Sequence, residues 1–280
     1  MILVLADWLD CSAMNSTRPH SQSGITLQFR GVTKTFYDRA RSVEALQPFT
    51  TDVAAGEFVC LLGPSGCGKS TLLNIVAGLE LPTAGQVLAG GKPITAPGSE
   101  RALLFQEAAL FPWLDVQANV EFGLRQQRRS AQERADMARS LLAMVHLTGF
   151  EHSAVHQLSG GMRQRVALAR ALAIDPAVIL MDEPFGALDA ITRDRMHAEL
   201  EAIWSATGKT ILFVTHNVRE ALALGDRILT FSPRPGRVVQ EVRVTLPRPR
   251  SLESHALVDM AAQILSVMRT AEANAAALPA

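Results

Sequence analysis

The run Glu57–Leu62 (EFVCLL) passes without a break into Gly63–Thr71 (GPSGCGKST), and Lys69–Ala77 then carry helical character up to a stop at Gly78. Few folds accept this order. A continuous apolar run bounded by turn residues suits a strand covered on both faces, and such strands belong to parallel sheets flanked by helices. The glycines allow backbone N–H groups to converge on an anion without Cβ clashes, and a helix starting at Lys69 adds its positive end. In this context Gly63-x4-Gly68-Lys69-Ser70 predicts a phosphate loop made of Gly63, Pro64, Ser65, Gly66, Cys67, Gly68, Lys69, Ser70 and Thr71. Lys69 is expected to reach the β and γ oxygens and Ser70 to ligate Mg²⁺. Cys67, beside phosphate-binding amides at a helix N-terminus, is expected to have a lowered thiol pKa and to be alkylated unless MgATP protects it.

Further strands are predicted at Ile25–Arg30 by alternation, at Ala102–Phe105 as a short buried strand, and at Val178–Met181, Thr210–Val214 and Arg237–Leu246. An amphipathic helix over about Ala190–Ser205 completes a βαβ alternation, so the core is α/β. Between Val116 and Ala173 the strands give way to Gln- and Arg-rich sequence with apolar residues at helical spacing (Met137, Leu141, Leu142, Val145), read as an inserted helical subdomain. A helix is predicted over 252–270, with fraying from Ala271, and residues 1–24 are read as a flexible leader.

The strand Val178–Met181 ends in Asp182 and Glu183. Carboxylates there are costly unless a cation or hydrogen bonds compensate, and a metal-bound phosphate would do so. Asp182 is placed in the Mg²⁺ shell, and Glu183, pointing the other way along the strand, is expected to polarise the attacking water. Gln106 and His216 each follow a core strand, at the ends where open α/β sheets bind ligands.

Lys+Arg and Asp+Glu both number 27, so bulk charge provides no attraction to nucleic acid. Cys11, Cys60 and Cys67 lack metal or disulfide spacing, and no run reaches the roughly 20 apolar residues of a membrane span; a cytosolic location is the expectation.

Leu158–Arg165 (LSGGMRQR) resembles the signature motif of ATP-binding cassette (ABC) ATPases. The resemblance runs from about Ile25 to Leu246. It implies a phosphate-loop nucleotide-binding fold with an antiparallel β subdomain and a helical subdomain at about 107–175, one ATPase domain over 25–246 and a C-terminal extension over 247–280. It also implies Phe36, or its neighbour Tyr37, as the adenine-stacking ring; Gln106 as a metal and catalytic ligand; Ser159, Gly160, Gly161 and Gln164 as nucleotide contacts made from a partner chain; Asp182 at the metal; Glu183, His216 and Lys69 as catalytic; and Ala187–Asp189 as the dimer-facing loop. With one copy of each half-site, the chain is expected to dimerise head to tail around ATP and Mg²⁺.

Residues 103–124 (LLFQEAALFPWLDVQANVEFGL), DEPFGALDAITR, SPRPGR and LPRPR resemble the ATPases of the nitrate, sulfonate, taurine and bicarbonate importer group. This implies separate membrane permease subunits touching about 107–120, with Phe111 and Trp113 as an apolar anchor, a periplasmic solute-binding protein, and a peripheral position on the cytoplasmic face of the inner membrane. An exporter ATPase and a non-transport ABC ATPase are the alternatives.

Overall fold

Residues 23–38, 42–127, 129–250 and 254–276 are described in the computed structural model. Of the leader expected over 1–24, residues 1–22 lie outside them, as does Cys11. Among the described residues one sheet has six strands, in the order β10 (Val238–Arg243), β9 (Arg227–Phe231), β3 (Phe58–Leu62), β8 (Thr210–Thr215), β7 (Val178–Asp182) and β6 (Arg101–Leu104). All are parallel except β10, which pairs antiparallel with β9. The pleat explains the unbroken apolar runs. Phe58, Cys60 and Leu62 enter one core with Met181 and Phe213, while Val59 and Leu61 enter another with Leu180, Leu212 and Leu229. Both faces are therefore dry.

A second, antiparallel sheet has the order β2 (Ser42–Val53), β1 (Leu27–Tyr37), β4 (Ala84–Ala89) and β5 (Lys92–Pro93). Leu27 and Phe29 are buried from β1, in the alternation expected before Arg30, and they share a core with Leu72, Leu73 and Val76 of α1 (Lys69–Ala77). The latter helix ends as predicted: Gly78 sits at φ 78°, and a Cβ there would lie 2.2 Å from the Ala96 carbonyl oxygen.

Helices α2 (Val116–Leu124), α3 (Ala131–Met144) and α4 (Gly160–Ala173) pack together through Val120, Leu124, Leu142, Val145 and Ala169. Each begins at a side-chain cap, Asp115, Ser130 and Ser159 respectively. The face of the six-stranded sheet opposite α1 is covered by α5 (Ala190–Thr207), whose Met196, Leu200 and Ile203 are buried at helical spacing, and by α6 (Val218–Leu224). Arg250 ties the LPRPR run to the end of α6, donating to the carbonyls of Leu222 (2.9 Å) and Gly225 (2.6 Å). Beyond it lies α7 (His255–Ala276).

Two expectations are corrected. The strand expected at Ala102–Phe105 is Arg101–Leu104 at the sheet edge, so only Ala102 and Leu104 are buried and Phe105 is exposed. Fraying from Ala271 is not found either, because α7 continues to Ala276; alanine has the highest helix propensity, which favours continuation. No helix among the described residues is long and apolar enough to cross a membrane.

Candidate functional site

The loop between β3 and α1 closes around Lys69. Its side chain is only 4% exposed, and Nζ donates to the carbonyl oxygens of Gly63 (2.8 Å) and Pro64 (2.7 Å). Gly66 and Gly68 have φ 76° and 98°, and a Cβ on Gly68 would lie 2.5 Å from the Ala45 oxygen. Glycine is thus required at Gly68 by both backbone and space. In front of the loop is a cavity of about 510 Å³, within the range of nucleotide-sized sites. Ser65, Gly66, Gly68, Lys69, Ser70 and Thr71 form its floor. Phe36 is one wall, with Lys34 Nζ 4.9 Å from its ring centroid, whereas Tyr37 is 75% exposed and faces elsewhere. Gln106 and Glu183 close the opposite side.

Ser70 Oγ donates to Asp182 Oδ1 at 3.0 Å, so α1 and β7 meet in a pair of oxygens. Burial pushes the Asp182 carboxyl up, more than the Ser70 hydrogen bond lowers it, and Glu183 raises it further. A carboxylate disfavoured as an isolated charge, beside a hydroxyl, fits a hard cation that takes oxygen ligands. Among the described residues no group of three or more His, Cys, Asp or Glu side chains could hold a metal by itself. Such a sparse protein ligand set suits Mg²⁺, which keeps waters and phosphate oxygens.

Glu183 departs from the strand geometry expected of it. Its φ is 45°, so the chain has already turned out of β7, although its N–H still donates to the Val214 oxygen at 3.0 Å. The carboxylate is aimed by this left-handed residue rather than by pleat alternation. Its Oε2 lies 2.9 Å from His216 Nδ1, which donates when that nitrogen carries the proton.

Ser159, Gly160 and Gly161 do not line this cavity. They form the start of α4, where Ser159 Oγ accepts from the Met162 N–H at 3.2 Å. Gln164 is turned inward, 6% exposed, and its amide nitrogen donates to the Gln106 carbonyl at 2.7 Å. That withdraws Gln164 from the residues presented by the helix N-terminus and makes it a support of the Gln106 loop.

Cys67 is also corrected. It is 1% exposed, and burial pushes its thiol up, outweighing the nearby Lys69 ammonium. Cys67 does not line the cavity; its Sγ lies 3.6 Å from Lys69 Nζ inside the loop, and a buried thiol is inert. Native protein treated with a maleimide is therefore expected to show no adduct at Cys67 or at the buried Cys60, with or without nucleotide, and both should label once denatured; peptide mass mapping checks this.

Residues missed in the sequence include Arg234, Val43 and Ala45, which line the cavity. Arg234 Nε donates to the Gly66 oxygen at 3.1 Å from the SPRPGR loop after β9. Nothing local marks that loop as a neighbour of the phosphate loop; only the β3–β9 pairing brings them together.

The family profile described as ABC transporter matches residues 46–186. An ABC transporter ATP-binding protein of Methanocaldococcus jannaschii is 45% identical over 88% of this chain and 92% of its own length. The taurine import ATP-binding protein of Roseobacter denitrificans is 52% identical over 72% of this chain and 75% of its own length. Among solved structures, a dimeric bacterial ABC transporter cassette, MJ0796, superposes with TM-score 0.71 at 35% identity, covering 79% of this chain and 100% of that one. The same cassette in a post-hydrolysis dimer bound to ADP and Pi gives 0.70. The chain belongs to the ABC transporter ATP-binding family, and its reaction is ATP hydrolysis.

Proposed function

We propose that this chain is the energy-coupling subunit of an importer for a small anionic solute of the taurine, sulfonate, nitrate or bicarbonate type. The observation that carries this reading is the 52% identity to a taurine import ATP-binding protein, supported by 50% identity over 74% of this chain to a second protein of that name from Burkholderia pseudomallei. Two copies act head to tail, as the dimeric cassette at 35% identity supports. Phe36 stacks on adenine, the loop Gly63–Thr71 holds the phosphates and Ser159–Gly161 of the second copy close on the γ-phosphate. Ser70, Asp182 and Gln106 hold Mg²⁺, which when bound neutralises charge on the β and γ oxygens. Glu183 orients and deprotonates the attacking water, and His216, at 2.9 Å, holds the Glu183 carboxylate in place. ATPase domain limits of 25–246 are kept, with the helical subdomain at about 107–175.

Residues 107–120 are the permease-facing surface, and their construction supports this. The buried Asn119 side chain accepts from the Phe111 N–H at 2.8 Å and donates to the Asp115 oxygen at 2.9 Å, pinning the segment. Phe111 packs on Phe122 at 4.4 Å beneath Arg170, while Trp113 is 74% exposed on that fixed base. Phe111 is absorbed in this packing, whereas Trp113 touches it on one side only, with ring centroids 5.4 Å apart, and leaves most of its surface outward. A large aromatic on a rigid base suits a hot spot for a membrane subunit on the cytoplasmic face of the inner membrane.

The test is solute uptake. A strain lacking the chromosomal copy should fail to accumulate one of labelled taurine, an alkanesulfonate, nitrate or bicarbonate, and the cloned chain should restore it. Restoration by wild type but not by Trp113→Asp, with the ATPase of the isolated chain intact, is the expected result. Uptake of all four solutes unaffected by deletion would remove this solute class.

A further inference from the structure

The catalytic pair Glu183–His216 rests on a buried polar chain that the ATPase mechanism does not otherwise use. Thr215, the residue before His216, donates its hydroxyl to Glu220 Oε2. The same Oγ accepts from the Asn217 N–H at 2.9 Å, so one hydroxyl clips together the residues on either side of His216. Glu220 uses its other oxygen to accept from His197 Nε2 at 2.8 Å. All three side chains are buried, and a buried charge of this kind persists only with full satisfaction. His197 lies on α5, and its ring packs on Phe185 at 5.6 Å. Phe185 belongs to the turn that starts at Glu183, where the Gly186 N–H donates to the Glu183 oxygen at 3.2 Å. His197 thus touches both sides: the Glu183 turn through Phe185 and the His216 segment through Glu220 and Thr215.

The geometry points to Thr215, Glu220 and His197 as positioning residues that set the separation of His216 from Glu183. None of them lines the nucleotide cavity, so they act on the chemical step and not on ATP capture. A purely apolar packing of α5 against α6 would hold the two helices together but would leave the rotation of the 215–217 segment undefined. The hydroxyl and the carboxylate supply directional bonds that fix it.

Thr215→Val is the main test, because it is close to isosteric and deletes only the hydroxyl. In the full chain it is expected to lower kcat on the order of 10- to 100-fold, the usual effect of a small misplacement of reacting groups, with KM for ATP unchanged. His197→Leu should behave alike, and Thr215→Ser should recover most of the lost kcat. NMR of ¹⁵N-histidine-labelled protein should show a shifted His216 Nδ1 resonance in Thr215→Val and a wild-type one in Thr215→Ser. Wild-type kcat in Thr215→Val, a loss shared by KM, or a failure of the serine variant to recover kcat would overturn the proposal. A folded Thr215→Val protein with low kcat but an unmoved His216 resonance would overturn it too.

Discussion

Replacing Glu183 with Gln is expected to lower steady-state ATP hydrolysis by about 10²- to 10⁴-fold, the range typical of losing a positioned general base. ATP affinity should stay within about twofold, because the proposed phosphate contacts come from other residues and uniform binding is left intact. Glutamine keeps the side-chain length, and its carbonyl oxygen can still accept from His216 Nδ1, which now lies 2.9 Å from the carboxylate. What it cannot do is take a proton. The backbone should also hold, since φ 45° at Glu183 is imposed by the turn into Phe185 and not by the carboxylate. With hydrolysis blocked, ATP remains the ligand that favours the closed pair, so light scattering should find a stable dimer with ATP and a monomer without it. Near-normal turnover would take Glu183 out of its assigned role, and lost ATP binding would make it a binding residue instead.

Much of the fold was legible because its central strands are buried on both faces. Val178–Asp182 and Thr210–Thr215 appear as apolar runs, and the end of α1 is marked by a glycine that must adopt φ 78°. Elements with weak local signals were not seen. The first, β2, is a mixed sequence with Pro48 at the edge of its sheet, so its pattern is neither alternating nor continuous. In β9, all five residues are buried, but Arg227 opens it, ion-paired with Glu57 and donating from a guanidinium nitrogen to Glu57 Oε2 at 3.2 Å, and a buried arginine interrupts the apolar signature. α6 has seven residues, six of them buried, leaving no polar face to give a helical period. At the site, the floor of the cavity was readable because spacing alone defines a phosphate loop. Arg234 was not, being more than 160 residues from its partner Gly66. Gln164 was misplaced for a related reason: its direction follows from the rotation of α4, which depends on how α2 and α3 pack against it. Cys67 failed on burial, which spacing does not report.

Ser159→Arg should also strongly lower turnover, yet leave the isolated chain's ATP affinity unchanged. The cavity lined by Lys69 and Phe36 includes none of Ser159, Gly160 or Gly161, so the α4 N-terminus lies outside its own chain's cavity in this structure. That terminus presents the backbone N–H groups of Gly160 and Gly161 and a positive dipole end, suited to a phosphate delivered from outside the chain. An arginine side chain there fills the gap through which the second copy approaches, and a loss of at least about 10² in rate is expected, the effect of removing one preorganised donor to developing charge. Loss of the helix cap contributes only about 1 kcal/mol of stability, so the variant should still fold. Ser159→Asp separates the two effects. Aspartate is as good a cap as serine, so stability should be kept, but its charge meets the γ-phosphate and should suppress both ATP-induced dimerisation and turnover. Should either variant instead weaken ATP binding to the monomer, Ser159 would belong to its own chain's site and the head-to-tail arrangement would fail. Full activity in Ser159→Asp would equally exclude an α4 N-terminus facing the phosphate.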